Sequence, residues 1–174
     1  MGTASHGMAH YVIGLGSNRP HGRYGRPERV VRAAIAALAA HGLAIRAESP
    51  VIRTRAMGPS DRDFANAAVR IDSDLSPLAL LALLQRIEHA FGRRRYRRWG
   101  ARVLDLDILA WSGGAWRDRR LTIPHAGLAS RDFALRPAAL VAPHWRHPGQ
   151  HRTLRQLDAR LRKSRPVDRS ADTP

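Results

Sequence analysis

A chain of 174 residues with 44% hydrophobic side chains is long enough to bury the core of one folded domain. It contains no cysteine, which excludes disulfides and thiolate metal sites, and no apolar run approaches the roughly 20 residues needed to cross a bilayer. The formal net charge of +16 is carried almost wholly by arginine, with Lys163 the single lysine; it suits a phosphate-rich small ligand or a nucleic acid, unless arginine and alanine usage is simply compositional.

Residues 1–9 lack the positive-then-apolar pattern of a secretory signal and are expected to be a disordered leader, with the cytoplasm as the expected location. Tyr11-Val-Ile-Gly-Leu15 reads as a buried strand that enters a turn at Gly16-Ser17-Asn18. Pro27 starts a helix whose apolar positions Val31, Ala34, Ile35 and Leu38 recur at helical spacing, and Gly42 stops it. A second strand is predicted over Ile45 to Thr54, followed by a polar loop over 55–63 and a third strand over Phe64 to Ile71. Ser76-Pro77 opens a second helix with Leu80, Leu84, Ile87 and Phe91 on its apolar stripe. An arginine-rich loop over 93–98 leads to a fourth strand, Val103 to Trp111. Gly113-Gly114 is predicted to turn a small hairpin, and two more helices are expected over 131–142 and 153–162.

The order βαββαβ predicts an α+β fold: a ferredoxin-like core with an antiparallel sheet and two helices on one face, extended by a C-terminal hairpin and helices. Residues 10–164 are expected to form that single domain, with 165–174 a flexible tail.

The chemistry concentrates at Asp105-Leu-Asp107. Strand alternation sends both carboxylates to one face and Leu106 to the other. Adjacent carboxylates repel unless a cation holds them, and hard oxygen ligands favour magnesium shared with substrate phosphates. Two such groups can hold a pair of metals suited to in-line displacement at phosphorus. Taken alone, the pair could equally be two solvent-facing aspartates. Arg93, Arg94, Arg95, Arg97, Arg98 and Arg102 lie just upstream, and guanidinium forks beside a metal site are what a triphosphate requires. Pro124-His125, Arg131 and Phe133 form a second candidate segment. Phe64 and Asn66 share a strand face, where a ring can stack on a flat heterocycle and an amide can bond its edge. Each of these is weak by itself, since a core Phe and a turn-capping Asn would look the same.

These motifs, taken in order, resemble the 6-hydroxymethyl-7,8-dihydropterin pyrophosphokinases of folate biosynthesis. The likeness runs from Gly14-Leu-Gly-Ser-Asn18 through Phe64-Ala-Asn-Ala-Ala68 and the 92–102 arginine–tryptophan stretch to Leu104-Asp-Leu-Asp-Ile-Leu109, Pro124-His125 and Arg131-Asp-Phe133. The resemblance implies transfer of pyrophosphate from ATP to a pterin hydroxymethyl group. It implies two magnesium ions on Asp105 and Asp107, with Arg93, Arg95 and Arg102 joining the two aspartates as the catalytic set. It places Gln85, Arg93, Arg95, Trp99, Arg102, Ile108, His125 and Arg131 around ATP. Glu88 matches an acid on the nucleotide side, and Gly16, Met57, Phe64, Asn66, Asp105 and Phe133 match the pterin pocket. The chain departs from the family pattern at Ala101, at Ala126 and in the loop Thr54-Arg-Ala-Met-Gly-Pro59, which lacks an inner proline. Those departures leave open a paralogue acting on a related pterin. The expected partners are the two small substrates, with a monomeric protein and no membrane. A basic nucleic-acid-binding module is the weaker alternative, because paired aspartates on one strand face would repel phosphates.

Overall fold

The protein, seen here in a computed structural model, is described for residues 7–54, 63–92 and 103–164. The elements run β1 (Ala9–Ser17), α1 (Pro27–Ala40), β2 (Ala44–Glu48), β3 (Ile52–Thr54), β4 (Phe64–Ser73), α2 (Pro77–Ala90), β5 (Asp105–Trp111), β6 (Trp116–Arg117), β7 (Thr122–Ile123), α3 (Asp132–Val141) and α4 (Leu154–Lys163). β2, β4, β1 and β5 lie side by side in that order, β3 also pairs with β4, and all these pairings are antiparallel. β4 thus lies between the two strands joined by α1, and β1 between the two joined by α2. No helix among the described residues is long and apolar enough to cross a membrane.

Three sequence expectations change. The strand predicted over Ile45 to Thr54 is two strands, broken at Ser49-Pro50. Pro50 has no N–H to give to a ladder. Ser49 bridges the gap: its N–H donates to the Ala68 carbonyl, and its Oγ accepts from the Ala68 N–H. The fourth strand begins at Asp105 rather than Val103. Gly113-Gly114 makes the tight turn that ends β5, with Gly114 at φ +92°. The paired hairpin strands are β6 and β7, and their turn is held by Asp118 Oδ1, which accepts from the Arg120 and Leu121 N–H groups.

Helix ends follow local chemistry. Ser76 Oγ accepts from the Ala79 N–H ahead of Pro77, and Thr153 and Gln156 form a reciprocal capping box on α4. α1 stops at Gly42, whose φ of +86° suits glycine.

The sheet is covered on both faces. Tyr11, Ile13 and Leu15 of β1, with Ala67, Val69 and Ile71 of β4, pack against α1 and α2 through Val31, Leu38, Leu80, Leu84 and Ile87. Val12, Ala68, Leu109 and Ala110 face the other way, into a second cluster with Leu135, Ala138, Leu154 and Leu157 of α3 and α4. A bulge sharpens the division. Ile13 pairs with Ile108 but Val12 with Ala110, so Leu109 is the extra residue, and Leu109 and Ala110 both join the α3–α4 cluster. Among the described residues the second cluster covers only part of its face, and the candidate site residues lie on the remainder.

Candidate active site

Register assembles the open end of that face. Asn66 of β4 stands opposite Gly16 of β1, and Gly16 stands opposite Asp105 of β5. The next same-face row is Ala68, Gly14 and Asp107. Ile52 flanks Asn66, and Thr54 lies opposite Phe64. Phe64, Asn66, Gly16, Asp105 and Asp107 are thereby brought together on one face, although they come from three separate stretches of chain. Both aspartates are half-buried, while Leu106 between them is 4% exposed on the opposite side.

The two glycines lower the floor of this end. A Cβ on Gly16 would sit 3.1 Å from Asn66 Oδ1, and one on Gly14 3.0 Å from Leu109 Cδ1. The neighbouring side chains therefore lie over the β1 backbone. Asn66 is buried and its orientation is fixed. Its Nδ2 donates to Thr54 Oγ1 at 2.7 Å, which leaves the amide oxygen beside Gly16. Sequence reading placed Thr54 at the end of a strand and the start of a loop motif, with no side-chain partner. Its role in holding Asn66 depends on the β3–β4 register, which no local pattern reveals.

Residues 125–133 run beside β5. The His125 N–H donates to the Leu109 carbonyl at 3.0 Å, two residues from Asp107. His125 Nδ1 accepts from the Gly127 N–H at 3.1 Å, so a neutral ring carries its proton on Nε2. Arg131 is the N-cap residue of α3 and its aliphatic stem lies across Gly127, where a Cβ would meet Arg131 Cδ at 2.7 Å. The Arg131 guanidinium carbon stands 5.8 Å from the centre of the Phe133 ring, within cation–π range. Phe133 is partly buried against the α3–α4 cluster.

Two predicted residues lie outside these rows of the face. Ile108 is 2% exposed and its side chain packs among the α1–α2 residues, behind the sheet as seen from Asp105 and Asp107. Gln85 is exposed on α2. Glu88, on the same helix, is 2% exposed and its Oε1 accepts from the Leu106 N–H at 2.8 Å. Arg93, Arg95, Trp99, Arg102 and Met57 lie outside the described residues.

The donor set has a definite character. Two carboxylates share a face, and among the described residues no group of three or more His, Asp or Glu side chains is gathered as a metal cage. One or two carboxylates, with the remaining positions left to water and phosphate, are what magnesium accepts. A preformed structural zinc or calcium site would need more protein ligands.

A protein of Methylorubrum extorquens named 2-amino-4-hydroxy-6-hydroxymethyldihydropteridine pyrophosphokinase is 41% identical over 156 residues, covering 88% of this chain and 94% of its own length. One of the same name from Synechocystis is 40% identical over 147 residues, covering 84% and 73%. The crystal structure of wild-type Plasmodium falciparum HPPK-DHPS matches the fold with a TM-score of 0.72 over 91% of this chain. Identity there is 13%, so the likeness concerns fold alone, and this chain spans only 42% of that longer one. The family described as 7,8-dihydro-6-hydroxymethylpterin-pyrophosphokinase matches residues 12–143, a span that takes in β1 from Val12 onward, both aspartates, His125, Arg131 and Phe133, and this chain belongs to that family.

Proposed function

We infer that this protein transfers a pyrophosphoryl group from ATP to the hydroxymethyl group of 6-hydroxymethyl-7,8-dihydropterin, a step of folate biosynthesis. The observation that carries this reading is the register that sets Asp105 and Asp107 beside Gly16 and Asn66 at one end of one sheet face. A phosphate-side pair and a heterocycle-side amide then lie within one site, as a two-substrate transfer requires. Membership of the family supports the same reaction.

The hydroxymethyl oxygen attacks the β-phosphorus of ATP, the bond from that phosphorus to the α–β bridging oxygen breaks, and AMP leaves. Asp105 and Asp107 are the residues that would hold magnesium, two ions in the reading favoured here. The metal, when bound, neutralises phosphate charge. Asn66, its amide oxygen fixed by the bond to Thr54, presents an acceptor to the amino or ring N–H groups of the pterin. Phe64 and Phe133 would sandwich the ring, with Gly16 beneath it and Met57 at its rim. His125 can donate from Nε2 to a phosphate oxygen, and Arg131 supplies a fork beside it. Arg93, Arg95 and Arg102 are assigned to the developing charge, and Trp99 to the nucleotide. Gln85 and Ile108 are assigned to the nucleotide, Ile108 through its backbone because its side chain packs in the α1–α2 cluster. No protein nucleophile is required, and the acceleration comes from positioning and electrostatics.

The strand order and the two helices sharing one face support a ferredoxin-like assignment of the core. We further propose a monomeric, cytoplasmic enzyme. The test is direct: protein, ATP, magnesium and 6-hydroxymethyl-7,8-dihydropterin are mixed and AMP is followed. Stoichiometric AMP and pterin diphosphate are expected. ATP left intact with this pterin, but consumed with a related one, would reassign the substrate.

A further inference from the structure

We propose that Glu88 is a positioning residue for the reaction, holding from behind the stretch of strand that carries Asp105 and Asp107. This rests on the reading of those two aspartates given above.

Among the described residues β5 is the edge of the five-stranded sheet and pairs within it only with β1. An edge strand carries outward backbone groups that need other partners. The Leu109 carbonyl finds one in the His125 N–H. The Leu106 N–H finds one in Glu88 Oε1, at 2.8 Å. Leu106 is the residue between the two aspartates, so the peptide that separates them is held by a side chain on a different element. Glu88 sits on the buried stripe of α2, one turn after Leu84 and next to Ile87, and is itself 2% exposed.

An acidic side chain is costly to bury on the apolar stripe of a helix unless polar partners meet it there, and the Leu106 N–H is one such partner. What Glu88 provides at this contact is an acceptor oxygen held 2.8 Å from the Leu106 N–H by a rigid helix. The side chains of Asp105 and Asp107 lie about 6–7 Å apart along the strand at their Cα atoms by ordinary strand rise. Their carboxylates keep one spacing only if the strand between them does not twist or fray. Glu88 supplies that restraint on the side of β5 away from β1, where no strand among the described residues extends the sheet. Its carboxylate faces the strand's backbone rather than the open end of the site, so its effect on the reaction passes through Asp105 and Asp107.

Glu88→Ala and Glu88→Gln separate this role from its alternatives, because glutamine keeps an acceptor oxygen without the charge. In Glu88→Ala, kcat is expected to fall about 10–100-fold, and the magnesium concentration for half-maximal rate to rise by a similar factor, as for other groups that orient metal ligands. KM for the pterin should stay within about threefold of the parent on the same grounds. Glu88→Gln should return kcat and magnesium dependence to within about threefold of the parent. Hydrogen exchange at the Leu106 amide gives a readout independent of turnover and of metal: slow in the parent and in Glu88→Gln, fast in Glu88→Ala. If the alanine variant does not fold, Glu88→Gln decides alone: near-parental kcat with a protected Leu106 amide supports the role, and loss of either overturns it. A folded Glu88→Ala with parental kcat overturns it as well. So does a glutamine variant as damaged as the alanine one, since that result assigns the effect to charge. Should the parent protein itself turn over no pterin, the substrate assignment has failed, and the exchange measurement with a magnesium titration still tests the restraint.

Discussion

The two ends of one sheet face, built from the same three strands, have opposite characters. Under α3 and α4 the face is Val12, Ala68, Leu109 and Ala110, all buried in an apolar cluster. A few residues along the same strands it becomes Gly16, Asn66, Asp105 and Asp107. Strand pairing runs continuously through both ends, so the change is made by side-chain choice. The closed end joins the α1–α2 face in holding the molecule together. The open end carries what a stable core would reject: adjacent like charges, a buried amide and bare glycine backbone. Separating the two functions this way predicts that substitutions at each end will be read by different measurements.

Asp107→Ala tests this most strongly. Turnover is expected to fall by at least about 10²–10³-fold, the scale seen when a preorganised electrostatic group is removed. The denaturation midpoint should stay near the parent value, because Asp107 is half-buried and belongs to neither apolar cluster. Parental turnover in a folded Asp107→Ala would break the comparison outright. Leu135→Ala is the converse. Leu135 is fully buried in the α3–α4 cluster, and truncation should cost about 2–5 kcal/mol in urea unfolding while kcat per folded molecule stays near the parent value. A large loss of kcat there would show that the closed end reaches into the chemistry.

The α1–α2 face offers a pH test. Tyr11 is fully buried and its hydroxyl donates to the Leu75 carbonyl at 2.6 Å. Burial pushes its ionisation from the ordinary 10.0 up to about 12. The folded state holds this proton more tightly than the unfolded chain does. Its contribution is therefore complete below pH 10 and is lost as pH rises through about 12. The amount at stake is on the order of 3 kcal/mol. Tyr11→Phe should lower stability near neutrality by about 1 kcal/mol through the lost bond and flatten the alkaline decline. An equally steep decline in the phenylalanine variant would place its source elsewhere.

How much of this was legible beforehand follows from the range of each interaction. The shared face of Asp105 and Asp107, with Leu106 turned inward, is a property of one strand and could be read from alternation alone. The element order, both long helices and the existence of α3 and α4 were equally local. Register was not legible, because it is set by the whole sheet, and register is what seats Gly16 between Asn66 and Asp105 and brings Thr54 to Phe64. The break at Pro50 was signalled by its missing N–H, yet Ser49 standing in for the ladder depends on a partner 19 residues away. Glu88 did leave a trace: an acid one turn after Leu84 on an apolar stripe is out of place unless it has a buried partner. Which backbone amide that partner is, 18 residues further on, needed the fold. The expectations for Arg93, Arg95, Trp99, Arg102 and Met57 rest on sequence resemblance, since those residues lie outside the described structure.

The finest test of the divided face compares its two glycines, which differ by two residues on one strand. Gly16→Ala puts a Cβ 3.1 Å from Asn66 Oδ1, and Asn66 cannot swing away without surrendering its bond to Thr54. The amide must shift by a few tenths of an ångström, and the expected result is a KM for the pterin raised about 5–10-fold, equivalent to about 1 kcal/mol, with the KM for ATP little changed. Gly14→Ala instead presses a Cβ against Leu109 at 3.0 Å, on the closed side. Overpacking of that kind costs about 1–3 kcal/mol of stability and should leave the pterin KM near the parent value. Two alanines on one strand would then separate cleanly, one appearing in substrate affinity and the other in unfolding. If both changed only stability, Asn66 would have no part in holding the heterocycle, and the open end would be reduced to its two aspartates.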